Sequence, residues 1–300
     1  MIRQRATVLL LIIGTAASKT AGAPIVPNLR TYPAGCKTLA YEEYGAGQPI
    51  VLLAGGPGEN PAYMDPVARM LASAGRRVLL LDQRGTGRSA DAISCRERMT
   101  LAGAVADLDA LRVHLRLERL TIAGHSWGGM LAMAYAQKHP DRVAALLLID
   151  PGPMTFADFP KESAVVHARL TEAQRMALQD AKDEAQIEAA ERPAFFYDAG
   201  NARRLQESIP TGEPLWYESV GALLGPDLGN FDVVEEMRKL KAPVTLVFGR
   251  LDPGFFISAE LQVLKPGARL FVVEDAGHYP WLEDSVRTAT VLKEAVSTLP

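Results

Sequence analysis

Short apolar runs recur along the chain, and most are followed by a glycine-containing or acidic turn and then by residues with helical spacing. The runs lie at 49–54, 77–82, 120–123, 143–149, 243–248 and 268–273. Continuous apolar runs of this length are typical of strands that are covered on both faces of a parallel sheet. Their alternation with helical segments predicts an α/β fold, with a mainly parallel sheet flanked by helices.

The alternation stops between the runs at 143–149 and 243–248. Residues 154–240 hold charged helical sequence and an aromatic piece at 193–197, without a comparable strand. Because no linker composition flanks this segment, we expect a helical cap over the strand ends, inserted after the sixth strand, rather than an independent domain. The predicted division is a signal peptide at 1–23, a first core part at 24–151, the cap at 152–241 and a second core part at 242–300.

Two expectations concern the beginning of the sheet. Residues 24–35 are rich in proline and polar residues and are predicted to be an extended lead-in. Residues 37–44 alternate in character and are followed by the Gly45-Ala46-Gly47 turn. This pattern predicts a hairpin with the next apolar run.

The first 23 residues have the pattern of a secretory signal. Arg3 and Arg5 precede an apolar run at 6–13, and small residues follow as far as Ala23. Since a bilayer span needs roughly 20 apolar residues, the run predicts a cleaved signal, an exported (periplasmic or secreted) protein and no stable membrane insertion afterwards. A buried helix or a retained anchor is the alternative. The cleavage point stays open between Ala17 and Ala23.

Composition narrows the classes of function. With 48% apolar residues, the chain can bury one large core. The net charge is −3 and no basic stretch occurs outside the extreme N-terminus, which argues against binding to nucleic acid or anionic membranes. Cys36 and Cys95 either form a disulfide or stay separate buried thiols, and the sequence does not decide between them. Neither has metal-site spacing, and we expect no metal and no organic cofactor. The oligomeric state is not indicated.

The candidate chemistry centres on residues 120–135, which read LTIAGHSWGGMLAMAY. A short strand, a sharp turn and a small-residue helix follow one another, and the turn fits the G-x-S-x-G pattern of a nucleophile elbow. Gly124 and Gly128 leave room for close backbone approach. Ser126 is therefore the candidate nucleophile, placed where the first N–H groups of a helix face any oxyanion beside it.

A serine nucleophile needs a base and a group that orients the base. His278 follows the final strand, so it lies at the same sheet edge as Ser126 and is the candidate base. Asp252 and Asp150 both follow strands, and Asp252 is preferred as the acid because Pro151 gives Asp150 a role in turning the chain. The other four histidines are given no catalytic role. His114 is expected on an exposed helix face and His139 at a helix end. His167 belongs to the predicted cap, and His125 is expected to point away from the serine.

A tetrahedral oxyanion requires two N–H donors. The first is expected from the backbone of Trp127, the residue after the nucleophile. The second is expected from the backbone of Gly56, in the Gly55-Gly56-Pro57-Gly58 turn, where bare backbone can face a ligand.

Several motifs together resemble the α/β-hydrolase superfamily and, within it, the proline iminopeptidase-like serine aminopeptidases. They are AGGPG at 54–58, DQRGTGRS at 82–89, GHSWGG at 124–129, GRLD at 249–252 and GH at 277–278. The resemblance covers about 37–150 and 242–299. It implies a catalytic triad of Ser126, Asp252 and His278, and a structural strand-end role for Asp82 and Arg84.

The sequence departs from that family at two places. Ala54 stands where intracellular members carry histidine, as in exported relatives. In the family, glutamates of the cap hold the free amino group of the substrate, and their sequence setting cannot be matched here. The candidates are Glu188, Glu191, Glu213 and Glu218, and for each the alternative is a solvated charge on a helix. The fold and triad therefore carry over better than the substrate.

The resemblance implies an exported serine hydrolase that cleaves acyl bonds through an acyl-enzyme, in particular an aminopeptidase on short peptides. A carboxylesterase acting on small esters is the alternative enzyme. A hydrolase-fold ligand-binding protein is the alternative of another class, and the intact Ser/Asp/His set argues against it.

Overall fold

The computed structural model describes residues 25–300, apart from the side chain of Glu184. The predicted signal peptide at 1–23 lies outside the described residues. Eight strands form one sheet in the order β1-β2-β4-β3-β5-β6-β7-β8. They are β1 (Asn28–Ala34), β2 (Lys37–Tyr44), β3 (Gln48–Leu53), β4 (Arg76–Leu81), β5 (Leu120–Ser126), β6 (Val143–Pro151), β7 (Val244–Gly249) and β8 (Arg269–Val273).

The six strands from β3 to β8 are parallel, whereas β2 pairs antiparallel with β1 and with β4. The prediction of a mainly parallel sheet with flanking helices is confirmed. The helices are α1 (Asp65–Ser73), α2 (Leu101–His114), α3 (Trp127–Lys138), α4 (Phe159–Arg169), α5 (Glu172–Asp180), α6 (Glu184–Glu191), α7 (Arg203–Glu207), α8 (Glu218–Leu228), α9 (Val234–Lys239), α10 (Phe256–Leu264), α11 (Pro280–Glu283) and α12 (Ser285–Ser297).

The predicted hairpin between residues 37–44 and the following run is wrong. The hairpin is formed by β1 and β2, with Tyr32 opposite Leu39, so the predicted lead-in contains a strand. Strand β4 lies between β2 and β3. Because β3 is buried on both faces, it takes the central position between two parallel strands, and β2 is left to cover the other edge of β4.

The core consists of two apolar layers, one on each face of the sheet. Successive side chains of a strand point to opposite faces, so Val51 and Leu53 of β3 join one layer while Ile50 and Leu52 join the other. Helices α2 and α3 pack on the first face, and α1 and α12 pack on the second. This double cover explains why the parallel strands have continuous apolar sequences.

Residues 152–243, here called the insertion, connect β6 to β7 through helices α4 to α9 without adding a strand to the sheet. Helices α8 and α9 place Leu224 and Met237 in the first core layer. The outer helices are α4 to α6. Near them lies a small cluster of buried residues, Val166 of α4, Leu170 and Ala194. The assignment of 152–241 to a separate cap therefore stays a prediction.

Cys36 and Cys95 are joined by a disulfide, with their Cα atoms 6.4 Å apart. The bond connects the β1–β2 turn to the short 3-10 segments that follow β4. The sequence left open whether the two cysteines form a disulfide or stay separate thiols, and the structure contains the disulfide. None of the helices within residues 25–300 combines the length and the apolar character needed to cross a bilayer.

Candidate active site

Ser126 lies at the junction of β5 and α3, with φ 52° and ψ −121°. Non-glycine residues seldom adopt a positive φ, and it marks a strained, functional turn more often than chance. A Cβ on Gly124 would lie 2.2 Å from the Gly128 carbonyl oxygen, and one on Gly128 would lie 2.4 Å from that of Leu53. The two glycines therefore allow the backbone packing that sharpens the elbow, as the sequence predicted.

His278 and Asp252 form a buried pair. His278 Nδ1 lies 2.6 Å from Asp252 Oδ2, and each residue is 4% exposed. Because a carboxylate accepts, the proton of the imidazole is placed on Nδ1 and Nε2 is left as the basic atom. The His278 N–H donates to the Phe195 carbonyl oxygen at 2.7 Å, so the insertion holds the loop of the histidine.

The pair has shifted pKa values of opposite sign. Burial lowers the pKa of His278, but the negative charge and hydrogen bond of Asp252 outweigh it, and the pKa ends above its usual value. Burial raises the pKa of Asp252, yet the neighbouring His278 and the Gly254 N–H bring it below the usual value. The acid therefore stays ionised while the histidine titrates.

Ser126 and His278 line one pocket, of about 270 Å³, between the sheet edge and the insertion. Among the described residues no hydrogen bond joins Ser126 Oγ to His278. Nucleophile and base contacts are often loose in unliganded enzymes and tighten when substrate binds. The structure thus brings Ser126, Asp252 and His278 to one sheet edge and makes one of the two contacts of a triad.

Gly56 also lines this pocket, with φ +115°. Its N–H donates to no other described residue, whereas the neighbouring Gly55 N–H donates to Tyr63 Oη at 2.7 Å. Trp127 begins α3, so its N–H has no carbonyl one turn earlier in the helix. Gly56 thus lines the same pocket as Ser126, Trp127 directly follows Ser126, and neither N–H has a competing helical or loop partner among the described residues.

Gln83 of the DQRGTGRS motif connects the two donor segments. Its amide accepts from Trp127 Nε1 at 3.0 Å and donates to the Ala54 carbonyl oxygen at 2.8 Å. Behind it, Arg84 forms a buried two-point ion pair with Asp107, at 2.7 and 2.8 Å. Asp82 accepts from the Arg88 N–H at 2.8 Å. These contacts fit the structural role that the resemblance implied.

His125 is fully buried and faces away from the pocket, toward Tyr63. Tyr63 Oη lies 2.6 Å from His125 Nδ1, and His125 Nε2 lies 2.9 Å from the His278 carbonyl oxygen. Since that carbonyl only accepts, His125 Nε2 carries the proton and Tyr63 donates to Nδ1. Burial, with the nearby His278, holds the pKa of His125 well below its usual value. The neutral ring thus ties the nucleophile strand to the histidine loop.

Four carboxyl groups line the pocket, two of which the sequence reasoning missed. Glu188 and Glu191 were candidates, and they pair with Arg192 and His167 respectively. Glu59 and Glu162 also line the pocket and are not among the candidates from the sequence. Glu59 follows the glycine turn directly, a position that its spacing could have revealed, but Glu162 reaches the pocket only through the packing of α4.

The two unexpected carboxyls have raised pKa values. Burial, then the charge of Glu188, raises the pKa of Glu59 to about 8. Burial, then the charge of Asp252, raises the pKa of Glu162 to about 7. The other two candidates lie outside this pocket: Glu213 accepts from Asn60 Nδ2 at 3.0 Å in a separate cleft, and Glu218 is exposed.

A model of the alpha/beta hydrolase fold matches residues 48–285. The chain is 27% identical to a proline iminopeptidase of Lactobacillus helveticus over 272 residues, which are 82% of this chain and 88% of the relative. It is 39% identical to a proline iminopeptidase of Arabidopsis thaliana over 141 residues, but this match spans 43% of the chain and 34% of that relative. A crystal structure of a proline iminopeptidase-related protein from Thermus thermophilus has a TM-score of 0.73 at 23% identity, with coverage of 91% of this chain and 98% of that one.

The chain belongs to the alpha/beta hydrolase fold family, since the family model matches most of its length. Within that family its relatives include proline iminopeptidases, and the predicted resemblance to that branch is confirmed. The likeness to the solved structure, at 23% identity, concerns the fold alone.

Proposed function

We propose that this protein is a serine hydrolase that works through an acyl-enzyme, and that it removes N-terminal residues from short peptides. The observation that carries the proposal is the Asp252–His278 hydrogen bond of 2.6 Å at the rim of a pocket that also holds Ser126 on a strained elbow. A nucleophile, a base and an acid that orients the base make up a triad.

In the proposed reaction, the Ser126 oxygen attacks the scissile carbonyl carbon while its proton passes to His278 Nε2. The oxyanion accepts hydrogen bonds from the backbone N–H groups of Gly56 and Trp127. Collapse breaks the C–N bond, and the leaving amine takes the proton from His278. Water then attacks the ester with the same base, which releases the acid product and restores Ser126.

The preference for a free N-terminus is supported by the charges that surround the pocket. Glu59, Glu162, Glu188 and Glu191 face it, and the arginine among its described lining residues, Arg192, is already paired with Glu188. A substrate ammonium supplies the missing positive charge, and its binding favours the ionised form of Glu162. Three of these carboxyls belong to the insertion, as the resemblance implied for the amino-group site.

The experiment compares three substrates: prolyl-arylamide, N-acetyl-prolyl-arylamide and a short-chain aryl ester, with Ser126→Ala as the blank. We expect turnover of the free amine, little turnover of the acetylated partner, and loss of both in the blank. Ester turnover without amide turnover would indicate a carboxylesterase instead. A protein that binds these compounds without any turnover would be a ligand-binding member of the family.

Export is a second part of the proposal, and the disulfide between Cys36 and Cys95 supports it, because such bonds persist in oxidising compartments. Expression of the full chain, followed by cell fractionation and N-terminal sequencing, tests this part. A protein that stays in the cytoplasmic fraction with its Met1 terminus intact would contradict it.

A further inference from the structure

A second buried carboxyl lies directly behind the proposed acid. Asp150 is the penultimate residue of β6, which pairs with β7, the strand that leads to Asp252. The residue is fully buried, with a positive φ of 39°. Its Oδ1 accepts from the Gly249 N–H at 2.8 Å. The Gly249 carbonyl oxygen in turn accepts from the Asp252 N–H at 3.1 Å. Gly249 is therefore hydrogen-bonded to both Asp150 and Asp252.

The other oxygen of Asp150 has no donor in the described part of the chain. Oδ2 is buried and receives no hydrogen bond from an N–H or hydroxyl group of the described residues. The side chain within hydrogen-bonding reach of the Asp150 carboxyl is that of Asp252. Two carboxyls in contact cannot both be ionised without a large cost, and a buried ionised oxygen without a donor is also costly.

The surroundings of the two carboxyls favour a proton on Asp150 over a proton on Asp252. Asp252 faces the imidazole of His278, which becomes positive during the reaction, and it also accepts from the Gly254 N–H. Within residues 25–300, Asp150 pairs with no cation, and the carboxylate of Glu283 adds to the negative field around it. In agreement, burial, followed by the charge of Asp252, raises the pKa of Asp150 well above its usual value.

We propose that Asp150 is a positioning residue: as a neutral acid, it donates an O–H hydrogen bond to the Asp252 carboxylate and so holds that carboxylate against His278 Nδ1. The proposal rests on the proposed serine hydrolase function, which gives Asp252 and His278 their task.

The test uses Asp150→Asn and Asp150→Ala, with Asp252→Asn and Ser126→Ala for comparison. The amide introduced by Asp150→Asn can accept from Gly249 and donate to Asp252, so kcat is expected to stay within about threefold of wild type. The alanine variant loses the donor, and misplacement of the acid is expected to lower kcat by about 100-fold with KM little changed. Asp252→Asn is expected to be more severe than either.

The folded fraction of each variant is measured by thermal unfolding and circular dichroism, which do not depend on the reaction, so that misfolding does not count as lost catalysis. Proton NMR of the His278 Nδ1–H signal adds a readout that a structural role alone would not move: alanine should shift it and asparagine should preserve it. The inference is overturned by folded Asp150→Ala with wild-type kcat, or by Asp150→Asn as inactive as Asp252→Asn.

The failure of this inference differs from the failure of the proposed function. If Ser126→Ala and Asp252→Asn abolish turnover while Asp150→Ala does not, only the role of Asp150 is wrong. If Ser126→Ala keeps full turnover and full reaction with a fluorescent fluorophosphonate, the proposed function is wrong as well.

Discussion

The sheet and the outer helices make a sharp contrast. Strand β5 is buried at every residue except Ser126, whereas α5 has no buried residue at all. The proposed triad and both oxyanion donors belong to the densely packed part, while Glu162, Glu188 and Glu191 belong to the sparsely packed part. Reaction geometry tolerates little displacement, so it benefits from a rigid support. Charge attraction acts over longer distances, so the residues that provide it can lie on a less rigid part of the structure.

The core and the insertion are joined by main-chain hydrogen bonds. The Phe195 carbonyl oxygen holds the loop of His278, and the Gly58 carbonyl oxygen accepts from the Tyr217 N–H at 2.7 Å. Changes to the triad residues, which the core carries, should remove the chemistry for every substrate. Changes in the outer helices should alter which substrate is bound and leave the chemistry in place.

The largest effect is expected from Asp252→Asn. Its amide cannot hold His278 in the tautomer with a basic Nε2, so kcat should fall by about 10,000-fold. The loss should be equally large for amide and ester substrates, since the acid acts on the base and not on the substrate. Steady-state kinetics with both substrates, with thermal unfolding as a control for folding, would measure it. A loss confined to one substrate would contradict the assignment of chemistry to the core.

The next effect separates stability from activity inside the core. Cys36 and Cys95 close a loop with a sequence separation of 59, and replacing both by serine should lower the free energy of unfolding by about 4 kcal/mol on the chain-entropy model. The bond lies at the β1–β2 turn, away from the pocket residues, so kcat of the folded variant should not change. Urea unfolding and active-site titration check the two halves. A fall in kcat would show that the β1–β2 turn affects the geometry of the site.

The core was predictable from sequence because its constraints are local. Apolar runs specify buried parallel strands, and the elbow glycines at 124 and 128 are required by backbone contacts between neighbouring elements. The pairing of β2 with β4 instead of β3 was not predictable in this way, because it depends on which edge of β4 is left uncovered. Among the acids, Glu162 was missed because only the packing of an otherwise exposed helix brings it to the pocket.

A smaller effect is expected from Glu162→Gln, in the outer helices. Losing one charged partner of the substrate ammonium should raise KM for prolyl-arylamide by about tenfold and leave kcat nearly unchanged. Glu218→Gln is the matched control, since it removes an exposed carboxyl that does not line the pocket. Equal KM changes in both variants would indicate a general charge effect, and a fall in kcat alone would place Glu162 in the chemistry.

The smallest effect tests whether the charge of the outer helices reaches the base in the core. His278 must be neutral to accept the proton, so kcat/KM should rise with pH through the pKa of His278 in the free enzyme. Burial lowers this pKa, but Asp252, Glu162 and Glu59 raise it, and the net shift is upward. The acid limb should therefore have its midpoint above about 6.5, the usual value for histidine.

Removing the charge of Glu162 should move that midpoint toward lower pH, because one of the groups that favours the imidazolium is lost. At the effective dielectric constants of partly buried sites, the expected movement is about half a pH unit or less. Glu218→Gln should leave the midpoint in place. The pH profile of kcat/KM for the aryl ester is the suitable measurement, since this substrate carries no ammonium whose binding depends on Glu162. A midpoint that moves upward, or equally in both variants, would show that the outer helices select substrates without tuning the base.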